Sequence, residues 1–249
     1  MTKNLLVTGG AGFIGTNFVY YWQKKYPNDP IIVLDALTYA GNKANLIGAE
    51  KKPNFKLIHG NILDESLVES IMSDHKIDTI VHFAAESHVD RSIHGPDEFI
   101  NTNIVGTHSL LKVAKKIWMD QTHRDHRFHH ISTDEVYGSL ESNEPPFSEK
   151  TPYTPNSPYA ASKASSDHLV RAYHKTYDLQ TTISNCSNNY GPFQFPEKLI
   201  PLSIINILLG DPLLIYGDGK QIRDWLYVDD HNAGVDLILR KGQPGEIYN

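Results

Sequence analysis

Two residues four apart, Tyr159 and Lys163, frame the run Tyr159-Ala160-Ala161-Ser162-Lys163. On a helix that spacing puts both on one face, one turn apart. A cation beside a phenol favours the phenolate and lowers its pKa from about 10. The pair therefore predicts a tyrosine acting as a general base near neutral pH. Upstream, Ser132-Thr133-Asp134-Glu135-Val136-Tyr137-Gly138 reads as the end of a buried strand and adds two carboxylates, Asp134 and Glu135. One activated phenol with two carboxylates points to a reaction with several proton transfers.

Such groups need a scaffold, and the N-terminal stretch supplies one. A short apolar strand over 4–8 leads into Gly9-Gly10-Ala11-Gly12-Phe13-Ile14-Gly15, then an apolar-periodic helix to about residue 26, then a second strand over 30–35 that ends on Asp35. Strand, glycine turn, helix, strand and acid, in that order, make a dinucleotide-binding unit. Gly9 permits the tight turn, Gly12 lets the backbone approach a pyrophosphate, and Gly15 lets helix and strand pack closely. The helix N-terminus offers free N–H groups and the positive end of its dipole. The spacing is G-x-x-G-x-x-G rather than G-x-G-x-x-G. Asp35 lies twenty residues past Gly15, where a carboxylate bonds both ribose hydroxyls and repels a 2′-phosphate. No Arg follows closely and Lys43 is the nearest cation, so NAD is favoured over NADP.

Strands are predicted over 55–59, 78–85, 127–132 and 180–186, alternating with helices over 64–75, 99–118 and 157–177. The alternation predicts an α/β fold with a doubly wound parallel (Rossmann) sheet. Residues 1–186 form the expected NAD-binding domain, and 187–249 a smaller substrate-binding region. That region is read as a helix over 197–209, strands over 213–216 and 223–228, and a helix over 229–240 capped by Asp229 or Asp230. The polar loop Glu86-Ser87-His88-Val89-Asp90-Arg91-Ser92 follows a strand, at the edge where open α/β sheets bind ligands. Asp90 and Arg91 read as a structural ion pair. Residues 143–158 hold five prolines and read as an active-site loop rather than a linker, because they lie between the two catalytic runs.

A net charge of −6 over 249 residues excludes a nucleic-acid footprint. The lone cysteine, Cys186, excludes an internal disulfide framework and suits a reducing compartment; flanked by an apolar strand, it reads as core. The apolar run Leu5-Leu6-Val7 is too short for a signal peptide or membrane span, so a cytoplasmic enzyme is expected. Asn185-Cys186-Ser187 matches a glycosylation acceptor by accident. His123, His126, His129 and His130 crowd one stretch, but their spacing fits no zinc pattern. They read as a solvated loop entering a strand, and no metal is expected.

Taken together, the motifs resemble the extended short-chain dehydrogenase/reductases that act on nucleotide sugars, and within them the 4,6-dehydratases of dTDP-hexoses. The likeness covers essentially the whole chain. It rests on the glycine turn, Leu37-Thr38-Tyr39-Ala40-Gly41-Asn42, the 84–92 loop, Thr133-Asp134-Glu135-Val136-Tyr137-Gly138, Tyr159-Ala160-Ala161-Ser162-Lys163, Ser187-Asn188-Asn189-Tyr190-Gly191-Pro192 and Arg223-Asp224-Trp225. The glycine and Tyr/Lys motifs belong to the whole superfamily, and the Thr-Asp-Glu triplet discriminates. The resemblance implies conversion of dTDP-glucose to dTDP-4-keto-6-deoxyglucose and water by C4 oxidation, C5/C6 elimination and hydride return to C6. Tyr159 would take the C4 hydroxyl proton, Thr133 hold that hydroxyl, Glu135 remove the C5 proton and Asp134 protonate the departing C6 hydroxyl. Lys163 would also bond the nicotinamide ribose. Besides the glycine turn and Asp35, the NAD cleft would include Phe13, Ile14, Leu37, Thr38, Tyr39, Gly41, Asn61, Ile62, Ala84, Ala85, Ser87 and Thr102. The sugar nucleotide would meet Ser87, His88, Asn189, Glu197, Lys198, Leu199, Tyr216 and Arg223, with Arg223 suited to a diphosphate. The helices over 99–118 and 157–177 would pair in a homodimer. A UDP-sugar 4,6-dehydratase or 4-epimerase, and a chain that binds NAD without turnover, remain alternatives. Three departures stand out: Asn61 where the family usually has Asp, Asn185 where an Arg is common, and an end at Asn249 that would leave the sugar-nucleotide region incomplete.

Overall fold

The computed structural model describes residues 2–141, 143–215 and 217–249. Seven parallel strands form one sheet in the order β3-β2-β1-β4-β5-β6-β9. They are β1 (Leu5–Thr8), β2 (Ile31–Asp35), β3 (Phe55–His59), β4 (Thr79–His82), β5 (Arg127–Thr133), β6 (Thr181–Cys186) and β9 (Ile247–Tyr248). The order reverses between β1 and β4, which opens a crevice at their carboxyl ends. The alternation of each strand divides the core. Leu5, Val7, Ile31, Val33 and Val81 face α1 (Phe13–Lys25) and α8 (Val228–Lys241) through Phe18, Trp22, Val235 and Leu239. Leu6, Ile32, Leu34, Ile80 and Phe128 face the opposite layer, which includes α2 (Glu65–Asp74), α5 (Thr107–Lys115) and α6 (Pro158–Tyr177).

The helix expected over 99–118 is longer and less regular. A short α4 (Asp97–Phe99) runs through a π-helical stretch (Ile100–Gly106) into α5 and a second π stretch (Lys116–Thr122). Wider turns of this kind shift the side-chain register, commonly at functional sites. Here the first of them carries Thr102 to the crevice. α6 begins as its sequence dictates: Ser157 accepts from the Ala160 N–H, and Pro158 sits at the first turn.

Beyond β6 the chain leaves the sheet, forming β7 (Asn188–Tyr190), α7 (Leu199–Leu209) and β8 (Trp225–Tyr227), with β7 and β8 paired in parallel. α8 and β9 then return to the sheet layer. The strand expected over 213–216 does not form in its described part: Leu214 and Ile215 lie exposed with no neighbouring strand to supply hydrogen bonds. Residue 216 lies outside the described residues. The strand expected over 223–228 is confined to Trp225–Tyr227. α8 starts at Val228 without a side-chain cap, so Asp229 and Asp230 lie in its first turn, facing the positive dipole end. The histidine stretch is also corrected. His129 and His130 are fully buried on β5, where His129 bonds the hydroxyls of Thr182 and Ser184.

One buried acid ties α8 to α1. Asp236 accepts from Lys25 (2.7 Å), Tyr26 (2.9 Å) and Arg240 (2.9 Å). Burial alone would push its carboxyl up, but the bonds from Arg240, Lys25 and Tyr26 outweigh it and hold the pKa below the usual value. A depressed carboxyl stabilises the fold above its unfolded pKa and loses that contribution as pH falls through the folded one. Asp236→Asn should therefore cost about 2 kcal/mol at pH 7. The gap to the parent in urea midpoint should close as pH drops below about 4; a gap that is constant with pH would rule out the charge as its cause.

Candidate active site

A cavity of about 410 Å³ opens at the carboxyl ends of the central strands. Its walls come from the glycine turn, the loops after β2, β3 and β4, the end of β5, the start of α6 and the segment after β6. The glycine turn is built for close approach. Gly9 has φ +69°, and a Cβ there would lie 2.6 Å from the Ala84 nitrogen. A Cβ on Gly15 would run into the Gly9 carbonyl. Gly12 differs: its backbone is extended (φ −78°), and a Cβ would meet only the Gly9 oxygen, at 3.4 Å, with cavity on its open side. The turn is thus a cradle that a side chain would fill, as a pyrophosphate at a helix N-terminus requires.

Asp35 lines the same cavity. Its two carboxylate oxygens accept the Ala11 and Leu37 N–H groups, each at 2.8 Å. Burial pushes its pKa up while those two bonds work against the shift. Each oxygen keeps a second lone pair for a ribose hydroxyl. Asn61 accepts from the Leu63 N–H at 2.9 Å in a local turn and keeps its amide at the wall. The residues present fit NAD. Phe13, Ile14, Thr38, Tyr39, Gly41, Ile62, Ala84, Ala85, Ser87 and Thr102 also face the cavity. Leu37 does not; with φ +51° it turns the chain and spends its N–H on Asp35.

Thr133, Asp134, Glu135, Tyr159 and Lys163 come together at the opposite end of the cavity. β5 stops at Thr133, whose hydroxyl accepts from the Glu135 N–H (3.2 Å) and donates to Asp134 Oδ1 (3.3 Å). A 3₁₀ turn, Asp134–Tyr137, then swings both acids toward the opening. Burial raises both carboxyls. Asp134 is further raised by Asp224, against the Thr133 hydroxyl, which lowers it. Glu135 is raised by Asp134 and lowered by Arg223 and Lys198.

The tyrosine does not behave as its spacing predicts. Burial, then Glu135, hold the Tyr159 phenol well above its usual value, and the Thr133 hydroxyl pulls the other way. Lys163 is turned to the strand: its ammonium donates to the Ile131 carbonyl at 2.7 Å and lies 3.4 Å from His130 Nε2. Burial lowers it to about 8. The shared helix face exists, but burial works against the expected phenolate.

Elsewhere on the wall, Ser87, Asn189, Glu197 and Lys198 face the cavity. Asn189 is held by His231 at 2.9 Å, and Lys198 donates to the Ser87 carbonyl at 3.3 Å. His88 caps α3 (Val89–His94) and approaches Glu197 at 3.6 Å, behind the wall. Leu199 is exposed at the start of α7, and exposed Arg223 donates to its neighbour's carbonyl, Ile222. Neither lines the cavity, because each sits on the surface beyond the mouth, although the charge of Arg223 reaches Glu135. Tyr216 lies outside the described residues. Arg91 pairs with Glu197 (3.4 Å) and covers the Tyr39 ring (3.8 Å to its centre), rather than serving Asp90. Cys186 is a cavity-wall residue, its thiol 3.5 Å from the Ser132 carbonyl. The 143–158 segment does not line the cavity. It braces the 3₁₀ turn from outside, through Thr154 to the Val136 and Tyr137 carbonyls and the Tyr153 ring against Tyr137.

Sequence reasoning missed Glu86, Gln194 and Phe195 on the wall and Asn103 behind it. Buried Asn103 bonds the Glu86 backbone twice (2.9 and 3.0 Å) and Ser162 at 2.8 Å, locking the 84–87 loop to α6. An asparagine inside a predicted apolar helix was the available signal.

The GDP-mannose 4,6 dehydratase family matches residues 6–249, and the chain belongs to that family. A dTDP-glucose 4,6-dehydratase of Xanthomonas campestris is 54% identical over 98% of this chain and 70% of its own length. One from Escherichia coli is 52% identical over 98% and 70%. The crystal structure of a dTDP-glucose 4,6-dehydratase from Streptomyces venezuelae, with NAD bound, superposes with a TM-score of 0.92 at 51% identity, covering 98% of this chain and 74% of that one. A UDP-glucose 4-epimerase from Thermotoga maritima gives 0.88 at 32%, over 99% and 76%.

Gly12→Ala separates the cradle from the fold. Its Cβ has room, so unfolding free energy should stay within about 0.5 kcal/mol of the parent. NAD affinity, measured by calorimetry, should fall about tenfold or more through lost phosphate contact. Unchanged affinity would remove the pyrophosphate from this turn.

Proposed function

We propose that the chain converts dTDP-glucose to dTDP-4-keto-6-deoxyglucose and water, using NAD. The observation that carries the reading is the meeting of Asp134 and Glu135, both raised, with Thr133 and Tyr159 in the cavity that holds the nucleotide cradle. A 4-epimerase has no use for an acid and a base beside the sugar's C5 and C6, whereas a dehydratase needs both.

Held by the glycine turn and Asp35, NAD would supply the hydride chemistry of the C4 and C6 redox changes and the positive charge of its oxidised ring. Thr133 and Tyr159 hold the C4 hydroxyl, and Tyr159 receives its proton as the ketone forms. The raised phenol of the free chain therefore needs positive charge nearby, and Lys163, protonated below about 8, is the chain's own contribution. The new ketone acidifies C5–H, and Glu135 removes that proton. Asp134, whose raised carboxyl favours the protonated form, donates to the C6 hydroxyl as the C–O bond breaks, so one water leaves. Glu135 returns a proton to C5, and net transfer of the proton held by Tyr159 to Asp134 restores the starting protonation of the wall. Asp35 recognises the ribose hydroxyls, and Ser87, Asn189, Glu197 and Lys198 contact the sugar nucleotide. Leu199 and Arg223, on the surface beyond the mouth, would meet the outer part of the nucleotide, with Arg223 at the diphosphate.

We also read the chain as a cytoplasmic homodimer. Ile100 and Val105 leave apolar surface on the composite helix, which supports the assembly, and sedimentation would measure it. Among the described residues no helix is long and apolar enough to cross a membrane.

Substrate deuterated at C4 should give water loss with deuterium at C6; a galactose-configured product would indicate an epimerase. Glu135→Gln should abolish exchange of the C5 hydrogen with deuterated solvent. Asp134→Asn should retain that exchange while slowing water loss by roughly 10²–10⁴-fold. The reverse pattern would exchange the two roles.

A further inference from the structure

Tyr159, Lys163 and Asp167 stand four residues apart along α6 and share one face. The first two border the cavity, while Asp167 lies one turn deeper, 1% exposed. Its Oδ2 is well served, accepting from Ser132 (2.8 Å) and Tyr153 (3.0 Å). Its Oδ1 is buried without a hydrogen-bond donor and points to His130, lying 3.3 Å from Nε2. That same nitrogen is 3.4 Å from the Lys163 ammonium. Burial, then Lys163, keep His130 well below its usual value, hence uncharged. A neutral imidazole therefore separates one buried cation from one buried anion.

A neutral acceptor at position 167 would satisfy Ser132 and Tyr153 equally well. A carboxylate with one oxygen unserved is costly in such a place unless a charge compensates it. We propose that Asp167 is the counter-charge of Lys163: a positioning residue, outside the cavity, that keeps the lysine protonated while it is buried beside Tyr159. Its part in turnover rests on the function proposed above; its action on Lys163 does not.

The groups facing this pair are few. Tyr159 lies on the same helix, His130 on β5 with His82 behind it (ring centres 5.2 Å apart), Asp134 and Glu135 at the end of β5, and Cys186 on β6. Asp167 also meets His168 on its own helix and Tyr153, which with Tyr137 is bonded by Asn185. Burial pulls Lys163 down to about 8, and of the acids opposing that pull Asp167 acts most, ahead of Cys186. Burial lifts Asp167 to about 6, with Lys163 the foremost influence holding it down. Between those two values both are charged.

The test is a carbon NMR titration of lysine labelled at Cε, on the folded chain without NAD or sugar, with Lys163 assigned by its loss in Lys163→Met. In Asp167→Asn the Lys163 midpoint should fall by about one unit or more, which raises the neutral fraction at pH 7 about fivefold. An unchanged midpoint in folded protein would overturn the proposal. The reciprocal titration does not need Asp167→Asn to fold. With aspartate labelled at its carboxyl carbon, Lys163→Met should move the Asp167 midpoint up by a similar amount; no movement would equally overturn it. In turnover, the loss of kcat at high pH should shift to lower pH in Asp167→Asn with KM unchanged. An inactive parent chain would count against the dehydratase reading and leave both titrations standing.

Discussion

The hydrogen bond from the Lys163 ammonium to the Ile131 carbonyl, 2.7 Å long, joins helix α6 to strand β5 at the floor of the cavity. Ile131 precedes Thr133 by two residues, and Lys163 follows Tyr159 by one turn. Fixing those two backbones to each other therefore fixes the hydroxyl of Thr133 and the phenol of Tyr159 in one wall. The carboxylates follow, because the 3₁₀ turn that carries them starts where β5 stops. A long, flexible lysine does this well because burial removes its other options: it is 3% exposed and must find its acceptors within the protein.

The nucleotide end of the cavity depends on backbone rather than side chains. Gly9 can approach Ala84 only without a Cβ, and that approach brings the end of β1 against the loop after β4 at the point where strand order reverses. The same loop is held from the far side by Asn103, on the π-helical stretch, which also grips Ser162 on α6. The cradle and the proton-transfer wall are thus parts of one bonded frame. The 143–158 segment extends that frame, because Thr154 and Tyr153 support the turn that bears Asp134 and Glu135.

Most of this was legible in the sequence where the signal was local. The parallel sheet followed from strand–helix alternation, and the cradle from three glycines between a strand and a helix. The gathering of Thr133, Asp134, Glu135, Tyr159 and Lys163 followed from two short motifs. What escaped was tertiary. Alternation cannot say that His129 and His130 lie in the sheet interior, because a polar residue is accepted there only when partners such as Thr182 wait on the next strand. Nor can it tell that β7 and β8 would pair while the apolar run over 213–215 finds no partner strand among the described residues. Proline content marked 143–158 as special without telling whether it lines the site or braces it. Arg223 and His88 belong to matching motifs, but where side chains of surface segments come to rest is not a property of spacing.

The protonation of Tyr159 is the point at which spacing misled most, and the reason is general. A cation four residues away favours the phenolate only if its charge is felt more strongly than the loss of water. In this cavity burial outweighs the lysine for Tyr159, and it lifts Asp134 and Glu135 as well. A common cause thus drives four groups toward neutrality, since burial also lowers Lys163. Burial makes the free site resist charge of either sign, so whatever charge it carries must be held by specific partners. For the proton donor proposed at Asp134 this bias is useful as it stands. For the proposed base and phenol it is an obstacle that neighbouring positive charge has to overcome.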